Sequence, residues 1–228
     1  MLDVHLPHGK LRSFSDFLIH LFTITVGLLI AVEIESCVEW RHHVHLAAEA
    51  RVELRAEIEH NLSDLKQAQP GLKAWRVQID ADLAAIQRIQ EHPNDPAAQH
   101  ANLKVSASGM SLRDTAWKTA QATGALAFMP YEEAERYSSV YQAQSALLAM
   151  EDKPMADVGV ITGLIAKNHW TEHSKITSEQ TSALAERLGQ MRWHLVIGDG
   201  LMQESIEQDQ AFLQNRKAKE DFEENLQR

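Results

Sequence analysis

Three polar side chains in the segment EWRHHVHLAAE have the types and spacing of a metal site. His42 and His45 are three residues apart, and Glu49 follows His45 by four. On a helix this spacing puts two imidazoles and a carboxylate on one face, and zinc binds both kinds of group. Zinc also needs a further ligand and outer hydrogen bonds that orient the imidazoles, which this segment does not clearly supply. We therefore predict no metal and no cofactor, and interpret His42, His43 and His45 as hydrated histidines beside a membrane.

The motifs of the common enzyme classes are absent from the sequence. It has no G-x-S-x-G, no H-E-x-x-H and no glycine-rich loop for a phosphate or dinucleotide. Its single cysteine, Cys37, excludes an intrachain disulfide and a cysteine zinc site. The net charge of −10 argues against a nucleic-acid partner, because phosphate binding needs a basic face. These features predict a protein that is not an enzyme.

The strongest signal in the chain is the run Phe17–Val32, sixteen residues without a formal charge. A helix of that length spans about 24 Å, and flanking residues extend it toward the ~30 Å of a bilayer core. Trp40 and Arg41 follow as side chains suited to the membrane interface. The run therefore predicts a transmembrane anchor over residues 14–40.

Two other interpretations of the run stay open. Lys10 and Arg12 before it, and Ile34–Cys37 after it, suit a cleaved signal, although Glu35 is a poor residue in a lipoprotein cleavage box. The run could also be the core helix of a soluble protein, but such helices rarely carry so long an uninterrupted apolar stretch. A retained span is the favoured interpretation.

Small residues recur along one face of the predicted span. Thr23, Gly27 and Ala31 are four residues apart, and such a stripe lets two transmembrane helices approach closely. We expect this face to contact another helix. His20 lies about one turn inside the membrane boundary and is predicted to bond a carbonyl or water; a pigment, haem or proton-relay role is the alternative.

The rest of the chain predicts helices only. Glycine (10) and proline (6) are scarce, and none lies between Leu28 and Gln69, so the span should continue as an amphipathic helix until Pro70-Gly71. The further helices are predicted at about Leu72–Gln90, Ser111–Gly124, Tyr131–Met150, Pro154–Glu172 and Thr177–Phe222. Gly198 and Gly200 predict a kink or short break in the last of them. The buried residues are predicted to include Ile58, Leu65, Leu72, Trp75, Ile79, Leu83 and Trp117.

The predicted organisation is an N-terminal tail (1–13), a transmembrane anchor (14–40), a helical bundle domain (41–222) and a charged C-terminal end (223–228). The fold class is all-α, with one transmembrane helix continuing into a long amphipathic helix and about five further helices packed as a bundle. The loop 91–110 is long enough to be a candidate partner site.

The segment GLLIAVEIESCVEW, followed by a long charged helix, resembles uncharacterised bacterial single-span, membrane-anchored helical proteins that carry a domain of unknown function. AWKTAQATGAL and YSSVYQAQ resemble the soluble part of such proteins. The resemblance implies a bacterial envelope protein. It brings no known activity, so no functional residue is carried over from it.

Two functions from different classes remain. The favoured one is a non-enzymatic scaffold or accessory subunit of a membrane complex, with the bilayer and either other subunits or a homo-oligomer as partners. The alternative is a periplasmic ligand-binding or sensory bundle. Basic residues on the two sides of the span nearly balance, and we predict a single-pass protein of the bacterial inner membrane, N-terminus in the cytoplasm and bundle in the periplasm.

Overall fold

The computed structural model describes residues 14–99, 103–104, 109–168 and 176–218, and all regular structure in these residues is helical. The helices are α1 (Phe14–Glu91), α2 (Pro96–Gln99), α3 (Thr115–Ala122), a 3-10 turn (Ala125–Phe128), α4 (Tyr131–Lys167) and α5 (Ser178–Leu213). The predicted all-α class is confirmed. The tail 1–13, the end 223–228, part of the loop 91–110 and the predicted end points Glu172 and Phe222 lie outside the described residues.

The chain divides into two compact units, one up to Glu49 and the other from Ala50 onward. In the first unit the structure describes only residues 14–49, which belong to α1. The second unit contains the remainder of α1 and the helices α2 to α5, and the core described below belongs to it.

The predicted helix end at Pro70-Gly71 is wrong, because α1 passes through Pro70 and ends at Glu91. Pro70 cannot donate to the carbonyl of Lys66, and an interior proline costs a helix about 3 kcal/mol. Pro70 is exposed, so water can reach the carbonyl that loses its donor. Leu65 and Leu72, on either side of it, pack into one hydrophobic cluster, and this packing outweighs the local penalty.

The predicted boundary between Met150 and Pro154 is also wrong, and α4 runs through Pro154 to Lys167. Pro154 is buried, so packing holds the helix on both sides of it. Gly198 and Gly200 do not interrupt α5 either, and both are buried within it. In all three places tertiary packing overrides a local helix-breaking signal.

The predictions of helix ends have mixed outcomes. The last helix starts at Thr177 as predicted, and the structure adds a capping box there: the Thr177 hydroxyl accepts from Gln180 N at 3.3 Å, and Gln180 Oε1 accepts from Thr177 N at 2.9 Å. Gly124 follows α3 with a left-handed φ of 71°, a conformation that glycine adopts without strain. The predicted helix start at Ser111, where the segment SLRD resembles a capping box, is wrong, because α3 begins at Thr115.

The core of the second unit is formed mainly by α1, α4 and α5. Ile58, Leu65 and Ile79 are fully buried and Trp75 is 6% exposed, which confirms four of the predicted core residues. Leu72, Leu83 and Trp117 are half-buried. The largest cluster brings side chains of the three helices together: Trp75, Ile79, Ile86, Ile89, Ile161, Leu184, Leu188, Met191 and Leu195.

Candidate functional site

The apolar part of α1 is exposed along its whole length. The helix contains an 18-residue window with a mean hydropathy of 2.2, and none of that window is buried. One helix of the described chain is thus long and apolar enough to cross a membrane. The core helix of a soluble protein would bury such a surface, so the exposure argues against that interpretation.

The stripe of Thr23, Gly27 and Ala31 lies on this exposed segment. A Cβ added at Gly27 would meet no atom within 4 Å, so the described chain leaves the space beside it open. The hydroxyl of Thr23 donates to the carbonyl of Ile19 at 2.9 Å, which satisfies its hydrogen-bonding need within the helix. The stripe can therefore face an apolar partner without an unpaired polar group. Its contact with another helix stays a prediction.

The residues predicted for the membrane interface also lie on the surface. Trp40 is 66% exposed and Arg41 is exposed. An indole and a guanidinium with these exposures can reach the headgroup region. Their place at an interface stays a prediction.

The histidines that follow do not gather metal ligands around them. His45 Nε2 lies 3.1 Å from Glu49 Oε1. The ring centroids of His42 and His43 are 6.0 Å apart. Within the described ranges, no three or more His, Cys, Asp and Glu side chains are placed to hold a metal ion. Two members of the predicted set, His45 and Glu49, are paired by this geometry.

In the second unit, the carboxylate of Glu57 on α1 takes the place of the missing cap on α3. Its oxygens accept from the backbone N–H groups of Ala116 at 2.9 Å and of Trp117 at 3.2 Å. Tyr141 on α4 donates its hydroxyl to the same carboxylate at 2.8 Å, and its ring stacks on Trp117 with centroids 4.9 Å apart. Helix N-termini favour negative charge, so Glu57 anchors α3 to α1 and α4.

A chain of buried hydrogen bonds continues from α1 to α5. Asn61 donates to the carbonyl of Arg113 at 2.8 Å and accepts from its N–H at 2.9 Å. Asn61 also donates to Gln144 Oε1 at 2.8 Å. Gln144 in turn donates to both oxygens of Asp209, at 2.9 and 3.1 Å. We call Asn61, Gln144 and Asp209 the polar relay; Asn61 and Asp209 are 0% exposed.

Burial raises the pKa of Asp209 to about 7, and the hydrogen bond from Gln144 opposes that rise. Burial also raises the pKa of Tyr141, with the Glu57 hydrogen bond acting in the same direction. The Tyr141 hydroxyl therefore stays protonated, whereas Asp209 changes charge close to neutral pH.

Sequence reasoning missed the polar relay, because Asn, Gln and Asp on a helix usually face water. A signal was nevertheless present. Asn61 follows Ile58 by three residues and precedes Leu65 by four, so it occupies a core position of the apolar stripe on α1. A polar residue in such a position indicates a buried hydrogen-bond network.

A small cavity in the second unit, of about 50 Å³, has mainly apolar walls that include Leu72, Trp75 and Met202. His194 also lines it, and its Nδ1 lies 2.6 Å from Asp157 Oδ2. This volume has room for a few waters or one small group.

The larger cavity is an open cleft of about 450 Å³ lined by residues of α1 and α5. Most of its charged side chains are paired: Arg76 pairs with Asp199 in the lining, and Asp80 Oδ1 lies 2.6 Å from Nε of Arg192, which is outside the lining. Lys73 also lines the cleft and is exposed. The cleft is of a size that suits a small ligand, but most of its charge is already paired.

Comparison of the chain with protein-family models, with curated proteins and with solved structures gives no match. The resemblance to bacterial single-span proteins therefore remains a prediction. The functional argument rests on the chain's own residues.

Proposed function

We propose that this protein is a non-enzymatic, membrane-anchored scaffold or accessory subunit of a membrane protein complex. It would cross the bacterial inner membrane once through residues 14–40, with its N-terminus in the cytoplasm and its helical domain in the periplasm. The observation that carries the proposal is the apolar window on α1, none of which is buried in the described chain. Water disfavours a surface of this kind, and lipid or another transmembrane helix removes it from water.

Assembly is proposed to use the stripe of Thr23, Gly27 and Ala31. Lipid tails are as apolar as leucine, so helices associate in a membrane through close packing and not through a hydrophobic drive. The open space beside Gly27 allows another backbone to approach there. The partner is either a second copy of this chain or a subunit of another membrane protein.

Replacing Gly27 with leucine is expected to weaken this assembly by on the order of tenfold, because the new side chain holds the two backbones apart. The measurement is the mass and composition of the particle purified in mild detergent. Val32→Leu is the matched control, since it adds one carbon on a different face of the same exposed segment. An assembly unchanged by Gly27→Leu, or equally weakened by Val32→Leu, would contradict a role for the stripe.

The proposed orientation can be tested by removing the chain's single cysteine and placing a new one in the helical domain. In a Cys37→Ser background, a cysteine placed at the exposed Ser138 of α4 is expected to react with a membrane-impermeant maleimide added to intact spheroplasts. The reagent reaches only the periplasmic side, so labelling follows from a periplasmic domain. Labelling only after the cells are lysed would place the domain in the cytoplasm.

The ligand-binding or sensory bundle is the second candidate, and the cleft of about 450 Å³ is the observation in its favour. Its internal ion pairs favour it less than the exposed apolar window favours a scaffold. What co-purifies in mild detergent separates the two candidates. A second polypeptide in fixed ratio supports the scaffold, and a stoichiometric small molecule supports the ligand-binding bundle.

A further inference from the structure

We infer that Asp209 is a proton-controlled latch between α5 and α4, closed when its carboxyl group is protonated and loosened when it is ionised. The inference concerns the helical unit alone and does not depend on the membrane proposal. It rests on the groups that surround Asp209 and on which atom of the Gln144 amide the polar relay turns toward it.

Among the described residues, no cation is bonded to the carboxyl group of Asp209. Its side chain is fully buried, and the described hydrogen bonds and ion pairs give it one partner, the neutral amide of Gln144. An ionised carboxylate buried without a cation is costly, because the hydrogen bonds from one neutral amide replace only part of its hydration.

The titratable groups near Asp209 do not offset a negative charge either. From α4 the facing group is Tyr141, which stays protonated. From α1 it is Glu57, which reaches the site through the Tyr141 hydroxyl and is itself an acid. On α5, Glu207 is paired with Arg216, whose guanidinium is bonded to it through two nitrogens. α4 also supplies a cation to this end of α5, Arg136, whose guanidinium donates to the carbonyl of Phe212 and to Asn215 Oδ1. The described groups around Asp209 are thus neutral, acidic, or cations already bonded to other groups.

The relay fixes which group is presented to Asp209. Asn61 bonds both the N–H and the carbonyl of Arg113, so its amide has only one satisfactory orientation. Its second bond then requires Gln144 to turn its oxygen toward Asn61 and its nitrogen toward Asp209. Asp209 therefore faces the amide nitrogen of Gln144, and Gln144 cannot turn its oxygen to accept a hydrogen bond from the protonated acid without losing its bond from Asn61.

A hydroxyl on the same helix can accept a hydrogen bond from the protonated carboxyl group. Ser205 lies one turn before Asp209 on the same face of α5, and its buried Oγ has no hydrogen-bond partner among the residues that the structure describes. After side-chain rotation this oxygen provides an acceptor for the neutral acid. The protonated state can thus satisfy its polar groups inside the core, whereas the ionised state needs water.

The direction in which stability changes with pH follows from the pKa of Asp209 in the folded and in the unfolded state. Burial raises the pKa of Asp209 to about 7 in the folded protein, above the ordinary value of 3.8 that the unfolded chain retains. Between these values the folded state binds the extra proton, so stability falls as pH rises through this window. Above pH 7 both states are ionised, and the folded state holds an unpaired buried charge.

The test uses the full chain in detergent micelles, unfolded with denaturant from pH 5 to pH 8. The wild-type unfolding constant, relative to that of Asp209→Asn, is expected to rise by up to about tenfold per pH unit until pH 7. Asparagine keeps an oxygen for the Gln144 bond and cannot ionise. The matched control, Asp152→Asn, removes an exposed carboxylate of α4 and should keep the wild-type pH dependence.

Hydrogen exchange supplies a readout that does not need a folded variant. Peptides covering 200–213 of the wild-type protein are expected to lose protection between pH 6 and pH 8, after correction for the intrinsic exchange rate. Equal protection at both pH values would overturn the latch, whether or not Asp209→Asn folds. So would the same pH dependence of unfolding in Asp209→Asn and the wild type.

Discussion

Replacing Ile24 and Leu28 together with arginine is expected to move this protein from the membrane fraction to the soluble or aggregated fraction. Both side chains lie in the exposed apolar part of α1, at 60% and 63% exposure. An arginine near the middle of a transmembrane helix costs about 2.5–3.5 kcal/mol on translocon insertion scales, so two cost roughly 5–7 kcal/mol. A penalty of that size shifts a partition equilibrium by more than about a thousandfold.

The measurement is resistance to extraction with alkaline carbonate, followed by quantification of both fractions. Val52→Arg with Val77→Arg is the matched control, because these valines are similarly exposed, at 66% and 69%, but belong to the second unit. The control pair should leave the protein in the membrane. Carbonate-resistant membrane association of the Ile24→Arg/Leu28→Arg protein would refute the anchor.

Truncating Ile79 to alanine is expected to destabilise the helical unit by about 2–5 kcal/mol. Ile79 is fully buried in the largest cluster, where α1 packs with α4 and α5. The loss combines the transfer free energy of the removed carbons with the cavity that they leave. An effect of this size is a large fraction of the stability of a typical domain.

Val77→Ala is the control for Ile79→Ala, since Val77 lies two residues away on the exposed side of the same helix. Its effect on the free energy of unfolding is expected to stay within about 0.5 kcal/mol. Denaturant melts of both variants in the same detergent give the two values. A loss below about 1 kcal/mol at Ile79 would mean that α1 does not present this face to the core.

The sequence predicts the helices and much of the core because both depend on local periodicity. Ile58, Leu65 and Ile79 follow the spacing of one helical face, and that spacing survives whatever the rest of the chain does. The helix boundaries at Pro70 and Pro154 could not be predicted in the same way. Their local penalty is readable from sequence, but the packing energy that exceeds it depends on distant partners.

The polar relay shows a second limit of prediction from the sequence, beside the helix boundaries. That Asn61 lies on an apolar stripe is visible in the sequence, and so is the helical content around Gln144 and Asp209. Which of these polar groups meet is set by contacts between residues 65 to 83 positions apart, which periodicity does not encode. The membrane anchor is the opposite case, since its composition alone makes it a candidate, and the structure adds that its surface is uncovered.

The contact between Asn61 and Arg113 has a consequence for how this chain can vary. Asn61 pairs with the N–H and the carbonyl that position 113 shares with almost every amino acid, so this attachment of the segment before α3 is indifferent to the side chain found there. Mutational drift at position 113 should be nearly silent for this contact, with proline as the exception because it has no N–H. Position 61 has no such freedom, since only an amide of that length supplies both halves of the pairing. A saturation library scored for folded protein should therefore tolerate many residues at 113 and almost none besides asparagine at 61.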